Sequence, residues 1–325
     1  MNWLIISTNK KNPGDEFIRI GVENIIKLID PKAEGQVIDK ETPQIFQKIA
    51  FDKCVWAGMP VFWSLHNNTS WHVPWWQVMT RGWVSDDKNY FCVLGAGSFQ
   101  DWKDVNRGID REKMHEEASL LQSRSHVVTV RDPIACDITG VDFEAIVCPA
   151  ILATLNFKKT DSIKGCNLMP GGAHYSNFND TESSVWREKE KSISQLLLNN
   201  DYTFFAHNTS EYNHAISLGW EEGRIIRYNG NPYDMLPHYR NVDKFFGNRV
   251  HGCIVSRGVN ADVISCGYDT RQEAVRMSGA KVLLPSEIDL ESLETWAKNE
   301  PSCETFDASG TIDTYTEILN DFMSS

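Results

Sequence analysis

The sequence predicts an α/β protein of two Rossmann-like domains facing each other across a cleft, and three observations carry that prediction. Short apolar runs alternate with segments whose apolar residues recur at helical spacing. A polar stretch near the middle interrupts the alternation, which then resumes. Loops bearing glycine or arginine fall directly after several of the apolar runs. Strand–helix alternation implies mostly parallel sheets covered on both faces, and 325 residues exceed what one hydrophobic core commonly organises.

Taken in order, the first strand is expected at residues 3–7, followed by a turn-rich loop, 8–15, that contains Asn12-Pro13-Gly14-Asp15. Ile18, Val22, Ile25, Ile26 and Ile29 then recur at helical spacing, so an amphipathic helix is expected over 16–29. Further strands are expected at 54–57, 91–94, 126–130 and 145–147, with helices near 112–122 and 133–139. The polar segment 156–164 separates an N-terminal domain, 1–155, from a C-terminal domain, 156–325. In the second domain strands at 166–169, 202–206, 224–227, 244–246 and 263–265 alternate with helices at 182–198 and near 209–218, 249–257 and 270–279. The tail reads as helical at 290–298 and 312–323 and able to pack back across the domain junction. No internal repeat of fixed period occurs.

With 41% hydrophobic and 23% charged residues, the chain can bury a sizeable core. A net charge of −12 argues against a nucleic-acid partner, which requires a basic face, but not against a small anion that feels the local field of a cleft. The eight cysteines form no CxxC or Cys/His cluster and read as buried, reduced thiols; no metal-binding carboxylate pair stands out either. The apolar run 3–6 is far too short to cross a membrane, so a cytoplasmic protein is expected, with peripheral membrane association left open.

In open parallel sheets ligands bind beyond the carboxyl ends of the strands, which directs attention to four loops. In the first, Asn12, Gly14 and Asp15 precede a helix, where free N–H groups suit an anion, although an ordinary turn with Asp15 as N-cap is the commoner use of such residues. The second is Gly95-Ala96-Gly97-Ser98, a tight turn or a ligand loop. In the third, Asp132 and Pro133 are suited to start a helix, which aims Arg131 at the cleft as a clamp for a carboxylate or phosphate, or pairs it with Asp132 or Asp137. The fourth combines most. Arg249 and His251 open a small, apolar helix, and Arg271 follows the next strand through Tyr268-Asp269-Thr270. Two arginines and a histidine converging on one helix start point to an anion site with acid–base chemistry.

Six of the eleven tryptophans fall between 56 and 83, among them Trp63 and Trp71, interleaved with His66 and His72. Flat aromatic faces beside hydrogen-bonding groups suit a sugar, as they also suit an aromatic core or an interface. His174, after Gly171-Gly172-Ala173, and His207, after the strand at 202–206, also fall at expected cleft edges, although a structural role is the commoner use of such a residue.

The order of the Asn12-Pro13-Gly14-Asp15 loop, the Val130-Arg131-Asp132 strand end, Arg249-Val250-His251 and Tyr268-Asp269 resembles that of the polysaccharide pyruvyl transferase family over nearly the whole chain. The resemblance implies a fold like that of GT-B glycosyltransferases and transfer of a pyruvyl group from phosphoenolpyruvate, as co-substrate, onto two hydroxyls of a sugar or glycan precursor. It implies no other cofactor. By the same resemblance His251 is the catalytic residue, while Arg131, Arg249 and Arg271, with Asn12, Gly14 and Asp15, bind the donor. The C-terminal domain is then the donor side. The N-terminal domain is the acceptor side, with Trp63, His66, Trp71 and His72 as acceptor-binding candidates, joined by His174 from the edge of the C-terminal domain. The sequence departs from the family at two points: Arg271 stands where lysine is frequent, and Ala57-Gly58-Met59-Pro60 replaces a glycine-rich run. A nucleotide-sugar glycosyltransferase and a non-catalytic sugar- or anion-binding protein are the alternatives that the residues leave open.

Overall fold

A computed structural model describes residues 1–8, 12–39, 50–58, 60–62, 91–173 and 180–325. Two sheets organise them. The first contains β1 (Asn2–Ser7), β2 (Glu34–Asp39), β3 (Lys53–Ala57), β4 (Pro60–Phe62), β5 (Phe91–Ser98), β6 (Val128–Val130) and β7 (Glu144–Ala145). Their spatial order is β2-β1-β3-β5-β6-β7, with β4 attached to β5, and the paired strands run parallel. Helices α1 (Pro13–Ile29), α2 (Arg111–Arg124) and α3 (Ile134–Thr139) connect them.

The second sheet is also parallel, in the order β10-β9-β8-β11-β12-β13. Its strands are β8 (Ile163–Asn167), β9 (Tyr202–Ala206), β10 (Ile225–Arg227), β11 (Val242–Gly247), β12 (Asp262–Cys266) and β13 (Lys281–Leu283). The intervening helices are α4 (Asp180–Asn199), α5 (Thr209–Ser217), α6 (Leu236–Arg240), α7 (Val250–Arg257) and α8 (Gln272–Met277), followed by α9 (Leu290–Lys298) and α10 (Ala308–Ser324). Strand order reverses beside β1 in the first sheet and between β8 and β11 in the second. Such reversal points open a crevice at the carboxyl ends of the strands. The chain leaving β1 enters α1, and the chain leaving β11 enters α7, so both helices start at a crevice.

The alternation legible in the sequence is therefore present, with local differences. Helix α1 begins at Pro13 rather than near residue 16. Asn12, not Asp15, is its N-cap, and its Oδ1 accepts from the Gly14 N–H at 3.1 Å. Proline suits this first position because its missing N–H would have no intrahelical partner there. Strands β2 and β13 escape a search for apolar runs because they lie at sheet edges: in β2 only Ile38 is buried, and β13 has only three residues, none of them buried. Six of the eight free cysteines are buried and Cys303 is exposed.

The two units share a core. Phe17 and Ile18 of α1 cluster with Phe205, Tyr239 and Phe245 from the second unit, and with Ile151 of the connecting 3-10 turn Pro149–Leu152. Two glycines allow that turn to wedge in. A Cβ on Gly21 of α1 would lie 1.9 Å from the Pro149 carbonyl oxygen, and one on Gly258, the C-cap of α7, 1.9 Å from that of Ile151. Helix α10 returns to the first unit: Tyr315 donates to the Val147 carbonyl at 2.7 Å, and Lys53 Nζ donates to the Phe322 carbonyl at 2.6 Å. Its buried Tyr315, Leu319 and Phe322 each contribute about 1.5–3 kcal/mol of apolar burial. Among the described residues no helix is long and apolar enough to cross a membrane.

Candidate active site

The starts of α1 and α7 meet at the junction. Strand β11 ends at Gly247, and Asn248 turns the chain by donating its N–H to the Asn167 carbonyl at 3.2 Å and accepting from the Met169 N–H at 2.7 Å. Arg249 then occupies the N-cap position of α7 without using its side chain as a cap, which leaves the helix start favourable to negative charge. His251, in the first turn, is half-buried and reaches the first unit. A Cβ on Gly14 would lie 2.4 Å from His251 Nδ1, so only glycine at this point of α1 leaves room for the imidazole.

Arg131, fully buried at the end of β6, closes the other side. Its Nη1 lies 2.8 Å from His251 Nε2, joining two residues 120 positions apart. A guanidinium only donates, so Nε2 must supply the lone pair and the neutral ring carries its proton on Nδ1. Burial first, then the Arg131 charge, hold the His251 pKa well below the ordinary histidine value; Arg271 and His207 lower it further, and Asp15 opposes them. Arg131 Nε and Nη2 are buried without a hydrogen-bond partner. Gly97 provides the space: a Cβ there would lie 2.4 Å from Arg131 Nε. Asp132 does not pair with Arg131. It accepts from the Ser98 N–H and hydroxyl at 2.9 and 2.7 Å, and from the Ala135 N–H at 3.1 Å, at the start of α3.

The other two arginines are already engaged. Arg249 sends Nε and Nη2 to Glu211 Oε1, the former at 2.6 Å. Glu211 is buried, and its Oε2 accepts from the His207 N–H and from Asn167 Nδ2, each at 2.9 Å. Burial alone would raise its pKa, but Arg249, His207 and these donors bring it below the usual carboxylate value. Arg271 makes a two-pronged pair with Asp269, Nε to Oδ1 at 2.9 Å and Nη2 to Oδ2 at 2.7 Å, and lies 4.1 Å over the Phe99 ring. Asp15 is also committed, accepting from the Thr8 hydroxyl at 2.6 Å. The Asp15 carboxylate raises the His251 pKa against the surrounding arginine charge. Asn12 serves as the helix cap, and Gly14 as clearance for the histidine.

His251, Arg131, Gly14 and Asp15 are thus brought together, with Arg271 within electrostatic reach, while Arg249 is drawn toward Glu211. Trp63, His66, Trp71, His72 and His174 lie outside the described residues. Sequence reasoning missed Glu211 and Phe99, and it singled out Tyr268-Asp269 without seeing that Asp269 orients Arg271. Glu211 carried a signal: Asn208 with an acid three residues later is a helix-start pattern, and the Asn208 side chain accepts from the Glu211 N–H at 2.9 Å. His207 is buried, bonded to the Tyr239 hydroxyl at 2.7 Å, and held neutral with a pKa of about 4, chiefly by burial.

No curated protein matches the sequence. Among solved structures, a UDP-GlcNAc 2-epimerase from Methanocaldococcus jannaschii in complex with UDP-GlcNAc and UDP has a TM-score of 0.55 at 12% identity, covering 99% of this chain and 100% of its own. A structure from Listeria monocytogenes assigned as a UDP-N-acetylglucosamine 2-epimerase has the same score and identity, covering 100% of this chain and 97% of its own. At that identity the likeness speaks for the fold alone, that of a GT-B protein. The sequence model of the polysaccharide pyruvyl transferase family matches residues 12–270, a span that contains Arg131, Arg249 and His251 and ends one residue before Arg271. The chain belongs to the polysaccharide pyruvyl transferase family.

Proposed function

We propose that the protein transfers the pyruvyl group of phosphoenolpyruvate to two hydroxyls of one sugar, in a glycan or glycan precursor, as a ketal. The observation that carries this reading is the contact of Arg131 with His251, a buried cation against a neutral imidazole where two domains meet. An anion with carboxylate and phosphate at its two ends is what arginines around one histidine can hold.

The chemistry balances with these groups. One proton adds to the enol methylene and makes it a methyl group, which leaves cationic character at the carbon bearing the carboxylate. A sugar hydroxyl attacks that carbon and a second displaces phosphate; of the two hydroxyl protons lost, one balances the methyl group and the other leaves with phosphate. Without donor, His251 is held neutral with its Nε2 lone pair turned to Arg131, and it becomes a base when that arginine turns to the donor. Negative charge at Arg131 offsets the field that disfavours imidazolium, so the bound donor raises the proton affinity of His251 and prepares it to act as acid. Arg131 and Arg271 hold the anionic ends and stabilise departing phosphate. The acceptor enters from the first-domain side, where the tryptophan- and histidine-rich segment lies in sequence.

Two measurements test this. Phosphoenolpyruvate is expected to raise the unfolding temperature, whereas nucleotide sugars are not; the reverse pattern would replace pyruvyl transfer by glycosyl transfer. His251→Ala is expected to keep phosphoenolpyruvate affinity but to lose acceptor-dependent phosphate release against a panel of glycan acceptors. Retained release would remove His251 from the chemistry.

A further inference from the structure

One buried chain of hydroxyls between the domains is used by nothing described so far. Asp132 directly follows Arg131, Thr270 directly precedes Arg271, and Ser98 ends β5 between them; all three are fully buried. The Ser98 hydroxyl lies 2.7 Å from Asp132 Oδ1 and 2.8 Å from the Thr270 hydroxyl, whose oxygen also accepts from the Gln100 N–H at 2.9 Å. The Ser98 proton goes to the carboxylate, so the Thr270 hydroxyl donates to Ser98, and each hydroxyl proton in the chain has an acceptor. The backbones are joined at the same place: the Thr270 N–H donates to the Gln100 carbonyl at 2.9 Å, the Trp102 N–H donates to the Tyr268 carbonyl at 3.2 Å, and Asp101 bridges Asp269. Phe99, which carries Arg271 on its ring, belongs to this segment of the first domain.

We propose that Ser98 and Thr270, anchored on Asp132, are positioning residues that set the span between Arg131 and Arg271 and so select a two-headed anion. The proposal rests on the pyruvyl-transfer reading of the site. A satisfied buried network holds its members in one arrangement. Here it ties the backbone carrying the first-domain arginine to the backbone carrying the second-domain one. A ligand with carboxylate and phosphate at fixed separation needs both arginines at that separation. Inorganic phosphate needs only one.

The test compares phosphoenolpyruvate with inorganic phosphate by calorimetry, with unfolding temperature recorded for every variant. Thr270→Val keeps shape and removes the donor; phosphoenolpyruvate affinity is expected to fall roughly tenfold while phosphate affinity changes by less than about threefold. Thr270→Ser, which restores the hydroxyl, is expected to recover most of the loss. Ser98→Ala provides the same comparison from the other domain if the valine variant does not fold. Equal weakening of both ligands, no weakening, or failure of the serine variant to recover affinity overturns the span. Wild-type protein that binds phosphate but not phosphoenolpyruvate overturns the pyruvyl-transfer reading and the span with it, and is told apart by the wild-type titration alone.

Discussion

The second domain offers two arginines and the first offers one, and they are treated in opposite ways. Arg249 and Arg271 each rest on a buried carboxylate, Glu211 and Asp269, whereas fully buried Arg131 has no hydrogen-bonded carboxylate: it contacts the neutral His251 and the Cys148 thiol and feels the Asp132 charge without pairing with it. Removing a guanidinium from water costs several kcal/mol, and in the second domain a paired charge offsets that cost. In the first domain nothing described offsets it fully. A buried cation without a hydrogen-bonded carboxylate is the position most changed by an incoming anion. On the proposed reading, Arg249 on Glu211 is part of the wall, Arg271 is a ligand arginine held in place by Asp269, and Arg131 is the one whose surroundings a bound anion changes most.

Exchanging the residues should break that contrast most visibly. Arg249→Met leaves Glu211 charged and buried, and is expected to destabilise by about 3–5 kcal/mol in urea unfolding. Arg131→Met should do the reverse: stability equal or higher, with phosphoenolpyruvate affinity reduced roughly a hundredfold or more by loss of two charge-assisted hydrogen bonds. Comparable destabilisation by both substitutions would end the distinction between wall and recognition.

The pH dependence sharpens it. His251 and His207 both have folded pKa values below the unfolded value near 6.5, His207 at about 4. Their neutral forms are the ones folded, so this stability is present above the unfolded pKa and is lost as pH falls from there toward the folded value. Each adds a slope of up to about 1.4 kcal/mol per pH unit in that window. Urea titrations at stepped pH should show stability falling below pH ~6.5, with Arg131→Met removing part of the His251 share. An unchanged slope in that variant would show that Arg131 does not control the histidine. The smallest effect expected is at the distant clasp of α10, where Tyr315→Phe removes one buried hydrogen bond and about 1 kcal/mol, leaving ligand affinity intact.

Alternation of apolar runs with helical periodicity made the two parallel sheets legible, because Ile5, Val55, Val93, Phe204, Phe246 and Ile264 are buried in strands whose patterns are local. Edge strands were not legible, since β2 buries so little that its pattern resembles a loop. Asn12-Pro13 held the true start of α1 in plain sight, but Asp15 competes for the same role in any reading by residue type.

For the site, the sequence by itself determined that Arg249 and His251 share a helix start and that Arg131 ends a strand, because both facts depend on neighbours along the chain. Arg271 has Asp269 two positions away, but only the tertiary structure decided that Arg249 is neutralised and Arg131 is not paired with a carboxylate. Glu211 lies 38 residues from Arg249, and His251 lies 120 from Arg131. Charge acts through space, falling with distance and strengthened by burial, so the chemical character of these residues depends on packing that brings distant strand ends within about 3 Å of one another.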